Sequence, residues 1–154
     1  MDLVWFLLED AFWAAIAATG FAILFNVPVR TLPVCALCGA IAHSLRAYLV
    51  HVGVSIEAGS LIAATLVGLM GEYFSHKVHT PASVFTIPGI IPMVPGVFAF
   101  KTMMGMINLT YADPGTSQQL LMETVSNGIK TGIILGSLSL GIAVMHIVFK
   151  RHLQ

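Results

Sequence analysis

Arg46, Lys101 and Lys130 are the residues of this sequence best placed to do chemistry, because each stands inside a long apolar run. A charge near the middle of a bilayer costs about 2.5 to 3.5 kcal/mol even on lenient insertion scales. Each cation therefore needs a partner, a wet cavity, or a route along which its head reaches the headgroups. Two readings are open: the cations pair with Glu57, Glu72 and Glu123 or snorkel, or they line a path for an anion.

Spacing bears on the choice. Lys101, Gly105 and Asn108 fall at i, i+4 and i+7 on one helical face, and Glu123, Asn127 and Lys130 repeat the pattern, as do Gly39, His43 and Arg46. A polar stripe held for two turns in a lipid-embedded helix faces protein or water. On the anion-path reading Lys101, Lys130 and Arg46 supply positive charge, while Asn108 and Asn127 donate hydrogen bonds. Glu57, Glu72 or His43 is then available to carry a coupling proton.

The elements that must position these side chains follow from composition. Of 154 residues, 57% are apolar and 9% charged, far below the roughly 25% charged residues of a soluble domain. The expectation is an all-α integral membrane protein of about five transmembrane helices forming a single transmembrane domain. The spans are placed at about 4–27, 32–52, 57–75, 85–109 and 119–149. Seven basic and seven acidic residues balance, so there is no basic arm for nucleic acid and no acidic tail. The start of the chain lacks the basic region of a secretory signal and reads as a retained first span.

Within that frame, Pro28 stops the first span, Pro33 is tolerated in the first turn of the second, and Gly53 permits a tight turn. Glu9 and Asp10 interrupt the first span and sit at an interface or face a partner. Ser60, Ala64 and Gly68 make one small-residue stripe, and Gly128, Gly132 and Gly136 a second. Tyr111 to Gly115 reads as a turn.

The fourth span differs from the rest because it contains Pro88-Gly89, Pro92 and Pro95-Gly96. Three prolines and two glycines predict a break over Pro88 to Gly96, with regular helix resuming near Val97 and ending near Leu109. Irregular backbone at membrane depth is buried in protein or lines a cavity. A broken helix also presents free N–H groups at the start of its second half, which favour an anion there. Pro88, Gly89, Pro95 and Gly96 thus join the candidate site, with Lys101 about one turn beyond.

Arg30, Lys77 and Lys150-Arg151 fall on one side if five spans are drawn, which predicts an outside N-terminus and a cytoplasmic C-terminus. Four spans keep that bias only if the proline segment is re-entrant. Cys35 and Cys38 form a C-x-x-C with neither a thioredoxin-like context nor a second ligand pair, so they read as small packing residues. His76 and His79 lack a third ligand and read as a solvated connection. No nucleophile–base set, phosphate loop or strand is expected, so no enzyme, cofactor or metal site is indicated.

The stretch Thr86-Ile87-Pro88-Gly89-Ile90-Ile91-Pro92-Met93-Val94-Pro95-Gly96, followed by a lysine-bearing helix, resembles the hallmark of the C-terminal half of the threonine/serine exporter family. Length and span pattern are similar to the small-subunit form within it. The resemblance implies a bacterial inner-membrane protein with a larger partner subunit of the same family, which carries the other half. It also implies export of a small carboxylate: succinate in the two-subunit form, threonine or serine in the fused form. A structural subunit that only steadies its partner remains the competing reading. The resemblance assigns no binding residues beyond the Pro-Gly motif.

Overall fold

A computed structural model describes residues 3–111, 113 and 115–152, with the side chains of 145, 146 and 148–152 outside the described set. Two residues of the turn expected at Tyr111 to Gly115, Ala112 and Pro114, and the side chains of Lys150 and Arg151 therefore lie outside it. The described chain is α-helical: α1 (Leu3–Leu24), α2 (Leu32–His51), α3 (Ile56–Val78), α4 (Ser83–Ile90), α5 (Gly96–Leu109) and α6 (Ser117–His152), with short 3-10 turns at Val29–Thr31 and Ile91–Met93. Among the described residues, four helices are long and apolar enough to cross a membrane, or five if α4 and α5 together make one broken span.

Helix ends follow local chemistry. After α1, Asn26 takes a left-handed conformation (φ 56°). Its N–H returns to Ile23 O at 2.9 Å and that of Val27 to Ala22 O at 3.0 Å, the reciprocal pair of a Schellman stop. The same pair recurs after α2, where Gly53 (φ 95°) donates to Val50 O and Val54 to Leu49 O. Pro33 sits at the start of α2, where its missing N–H removes no helical bond. Ser55 caps α3, its hydroxyl accepting from Ala58 N at 3.3 Å.

The chain divides into two compact units, Met1–Met93 with Ser137–Gln154, and Val94–Gly136. In the first, α2 packs on α1, α3 and α4. Its interior is rich in small residues, Ala14, Ala18 and Ala22 of α1, Cys35, Cys38, Gly39 and Ala42 of α2, and Gly59, Ser60, Ala63, Ala64 and Gly68 of α3, with Val67, Phe85 and Met93 among the larger buried side chains. Large apolar side chains such as Trp5, Phe12, Trp13 and Ile23 point outward. That inversion suits a lipid-facing bundle, in which helices associate by close backbone approach rather than by expelling water. The stripe Ser60, Ala64 and Gly68 is buried, and α6 lies on it closely: a Cβ on Gly141 would stand 2.7 Å from that of Ala64.

Gly89 is where α4 enters this bundle. A Cβ there would stand 2.9 Å from Cys38 Cβ and 3.3 Å from Val67 Cγ1. Gly89→Val is expected to destabilise the folded chain by about 1–3 kcal/mol through overpacking, read as a lower unfolding midpoint in detergent, and Cys38→Gly should return part of the loss. An unchanged midpoint would mean that α4 is free to shift.

The second unit is a helical hairpin of α5 and the first part of α6. Gly105 takes the buried side chain of Thr124 against its backbone, and Gly128 faces Thr102, whose Cγ2 would be 3.3 Å from an added Cβ. The two pairings run in opposite chain directions, as an antiparallel hairpin requires.

Candidate functional site

Three polar residues of the first unit, Asp10, His43 and Arg46, are joined in one cluster. His43 Nδ1 lies 2.7 Å from Asp10 Oδ2, and His43 Nε2 lies 2.8 Å from Arg46 Nη2. The other terminal nitrogen of Arg46, Nη1, donates to Met93 O at 2.7 Å. A guanidinium can only donate, so Nε2 accepts and the ring proton sits on Nδ1, donated to Asp10. The cluster is then one carboxylate, one neutral imidazole and one guanidinium, with no net charge. Exposure of 17% for the Asp10 side chain and 24% for that of His43 makes such neutrality valuable.

The helix break explains what Arg46 does there. A helical carbonyl normally accepts from the residue four positions on, and the turn at Ile91–Met93 interrupts that ladder. Arg46 supplies a charged donor to the last carbonyl before the break. Pro88 leaves a similar orphan at Val84 O, and Cys35 Sγ donates to it at 3.3 Å. With that carbonyl served, α4 runs through Pro88 to Ile90. The backbone departs from helix only after Met93, and α5 begins at Gly96.

The second unit holds a cavity of about 600 Å³ between α5 and α6. Its polar wall is Lys101, Asn108, Glu123, Ser126 and Asn127, and Phe100, Met104 and Leu120 form the apolar side. Among the described residues no carboxylate lies within ion-pair distance of Lys101, and neither side-chain amide is hydrogen-bonded to another residue. Glu123 accepts a long bond of 3.5 Å from Gln119 Nε2. The cavity thus offers one cation, one carboxylate and two uncommitted amides.

Sequence spacing therefore meets its sites unevenly. Lys101, Asn108 and Asn127 share the hairpin cavity, while Lys130 lies outside its lining with Nζ 5.8 Å from the centroid of the Phe98 ring, a cation–π contact. Arg46 and His43 belong to the other unit and are bonded to each other. Pro88, Gly89 and Pro95 are buried, Gly96 opens α5, and none of the four lines the hairpin cavity. Glu57 is half-buried in the first turn of α3. Glu72 is buried and lines a second cavity of about 450 Å³ with Gly68, Ser75, Ser83 and Thr86.

Two contacts are not legible in the sequence. Asp10 was legible as a charge that needs a partner, but its partner, His43, is 33 residues away. Cys35 reads in sequence as a packing residue, although Pro88 announces an unpaired carbonyl within its reach. Among the described residues no three metal-binding side chains come together.

The family model described as the threonine/serine exporter, ThrE, matches residues 10–148. The chain belongs to the threonine/serine exporter family. A protein of Haemophilus influenzae carrying the name "Uncharacterized protein" is 37% identical to this exporter-family chain over 145 residues, which cover 94% of the chain and 48% of that protein. The exporter-family chain thus spans about half the length of the curated relative it matches. No solved structure matches it. Membership and the four or five candidate spans among the described residues make the chain a multi-pass membrane protein of that family.

Proposed function

We propose that this chain is one half of a secondary exporter of small carboxylates in the bacterial inner membrane, working with a larger membrane subunit of the same family. The half-length match supports the division, since the relative carries about twice as much chain. Gly132 and Gly136, where an added Cβ would meet nothing within 4 Å, leave room for a partner helix to approach closely. The charge bias of Arg30 and Lys77 supports a periplasmic N-terminus and a cytoplasmic C-terminus.

The single observation that carries the substrate reading is Lys101, a cation without an ion-pair partner among the described residues, in a cavity with polar walls. It holds the substrate carboxylate, with Asn108 and Asn127 donating to the same group or to a hydroxyl. Two substrates fit different features. Glu123 in the same cavity complements the ammonium of threonine or serine. The division into halves fits the succinate-exporting form, in which a second cation is needed to replace the hydration of a dianion.

Efflux from vesicles containing both subunits separates the cases. Lys101→Met is expected to lower export roughly tenfold or more, the loss of one charge-assisted hydrogen bond, with assembly of the pair unchanged. Glu123→Gln should depress threonine efflux if the substrate is an amino acid, and leave succinate efflux near wild type if it is a dicarboxylate. Full export by Lys101→Met would leave this chain a purely structural subunit.

A further inference from the structure

We propose that His43 is a proton-operated latch: one proton added at Nε2 breaks its bond to Arg46 and frees the helix break that Arg46 holds through the Met93 carbonyl. The geometry has only one consistent proton arrangement. Arg46 Nη2 donates to Nε2 at 2.8 Å, and Nδ1 donates to Asp10 at 2.7 Å. Nothing else on Nε2 is compatible with a guanidinium beside it. A second ring proton would set N–H against N–H and cation against cation at hydrogen-bond distance. Proton uptake by His43 and its contact with Arg46 therefore exclude each other.

Asp10 completes the device. It accepts from Nδ1 in both states, so the ring stays anchored to α1 while its opposite edge changes from acceptor to donor. Among the described residues, the hydrogen bonds of His43 run to Asp10 and Arg46. The segments Ser83–Ile90 and Ile91–Met93 contain no ionisable side chain. On α3, Glu57, Glu72, Tyr73, His76 and Lys77 are absent from the hydrogen bonds of His43. On α1, Asp10 is its partner and Glu9 is exposed.

The position suits a proton taken from one aqueous face. Asp10 lies seven residues into α1, about 10 Å along its axis at 1.5 Å per residue, which is inside a hydrocarbon core but near one side of it. Arg46 then carries the event to the break. Its two terminal nitrogens divide between His43 and Met93 O, so displacing one unseats the other. The use of this latch in transport rests on the exporter reading, but the latch itself does not.

Hydrogen–deuterium exchange at the amides of Ile90, Ile91, Met93 and Val94, in the two-subunit complex in lipid nanodiscs and corrected for intrinsic rates, tests it. In the wild type these amides are expected to exchange roughly tenfold faster once His43 takes its proton, the effect of one net hydrogen bond lost. His43→Gln, whose side-chain oxygen accepts from Arg46 but takes no proton, should show slow exchange throughout. Arg46→Lys, which retains the charge but not two divergent donors, should show fast exchange at every pH. A pH step that survives in His43→Gln, or its absence from the wild type, would overturn the latch. A latch that opens in a complex that moves neither threonine nor succinate would sink the exporter reading and leave the latch standing.

Discussion

Leucine at position 105 is expected to separate α5 from α6 and abolish export. A Cβ at Gly105 would already lie 3.0 Å from both Cβ and Cγ2 of Thr124, and nearer still to its hydroxyl. Thr124 has nowhere to go: it is buried and its hydroxyl is tied to Leu120 O at 2.7 Å. Overpacking of this kind costs about 1–3 kcal/mol where neighbours give way, and more where they are backbone-tied as here. Since Lys101 and Glu123 line one cavity only while the helices stay paired, the binding site is lost with the hairpin. Thr124→Gly in the same chain should restore a measurable share of stability, offset by about 1 kcal/mol for a glycine inside a helix. Thermal unfolding of the four corners of this cycle checks the claim, and strict additivity would contradict it.

The second large effect is expected at Arg46. Arg46→Met keeps the stem volume but leaves Asp10 charged, Nε2 of His43 without its donor and Met93 O unpaired. Breaking one member of a buried ionic set costs about 3–5 kcal/mol, because what remains is an uncompensated charge. Replacing the whole set, Asp10→Leu with His43→Leu and Arg46→Met, removes that charge and leaves mainly the Met93 carbonyl, a penalty of about 1–3 kcal/mol. The triple variant is therefore expected to be more stable than Arg46→Met alone, although inactive in any step that uses the cluster. Unfolding midpoints in one detergent decide it, and a triple variant less stable than the single one would refute this view of the cluster.

Much of this was readable in the chain itself. Apolar runs give the membrane-spanning helices, and residues with intrinsic turn chemistry give their ends: Asn26 and Gly53 stop helices by adopting positive φ. The i, i+4, i+7 stripes place Lys101 with Asn108 and Glu123 with Asn127, and the hairpin joins the two. What sequence could not supply were partners distant in the chain. Lys130 shares a helical face with Asn127 in sequence yet turns to Phe98, because an aromatic face on the facing helix was available. Pro88 suggested an early break, but α4 passes through it, since a thiol on another helix serves the carbonyl that Pro88 orphans. Arg46 likewise pairs with a backbone group, and no count of acidic residues would have revealed it.

Ser126→Cys, on the wall of the cavity with Lys101 intact, offers the most direct test of the carboxylate site. In a chain whose buried Cys35 and Cys38 are replaced by serine and alanine, with the partner subunit present, Ser126→Cys is expected to react with a water-soluble thiol reagent, as a hydrated carboxylate site requires. Threonine or succinate at ten times its dissociation constant should then slow the reaction about tenfold by occupancy alone. A thiol at this position that stays unreactive, or reacts at a rate neither substrate alters, would mean that Lys101 faces lipid or an empty groove and holds no carboxylate.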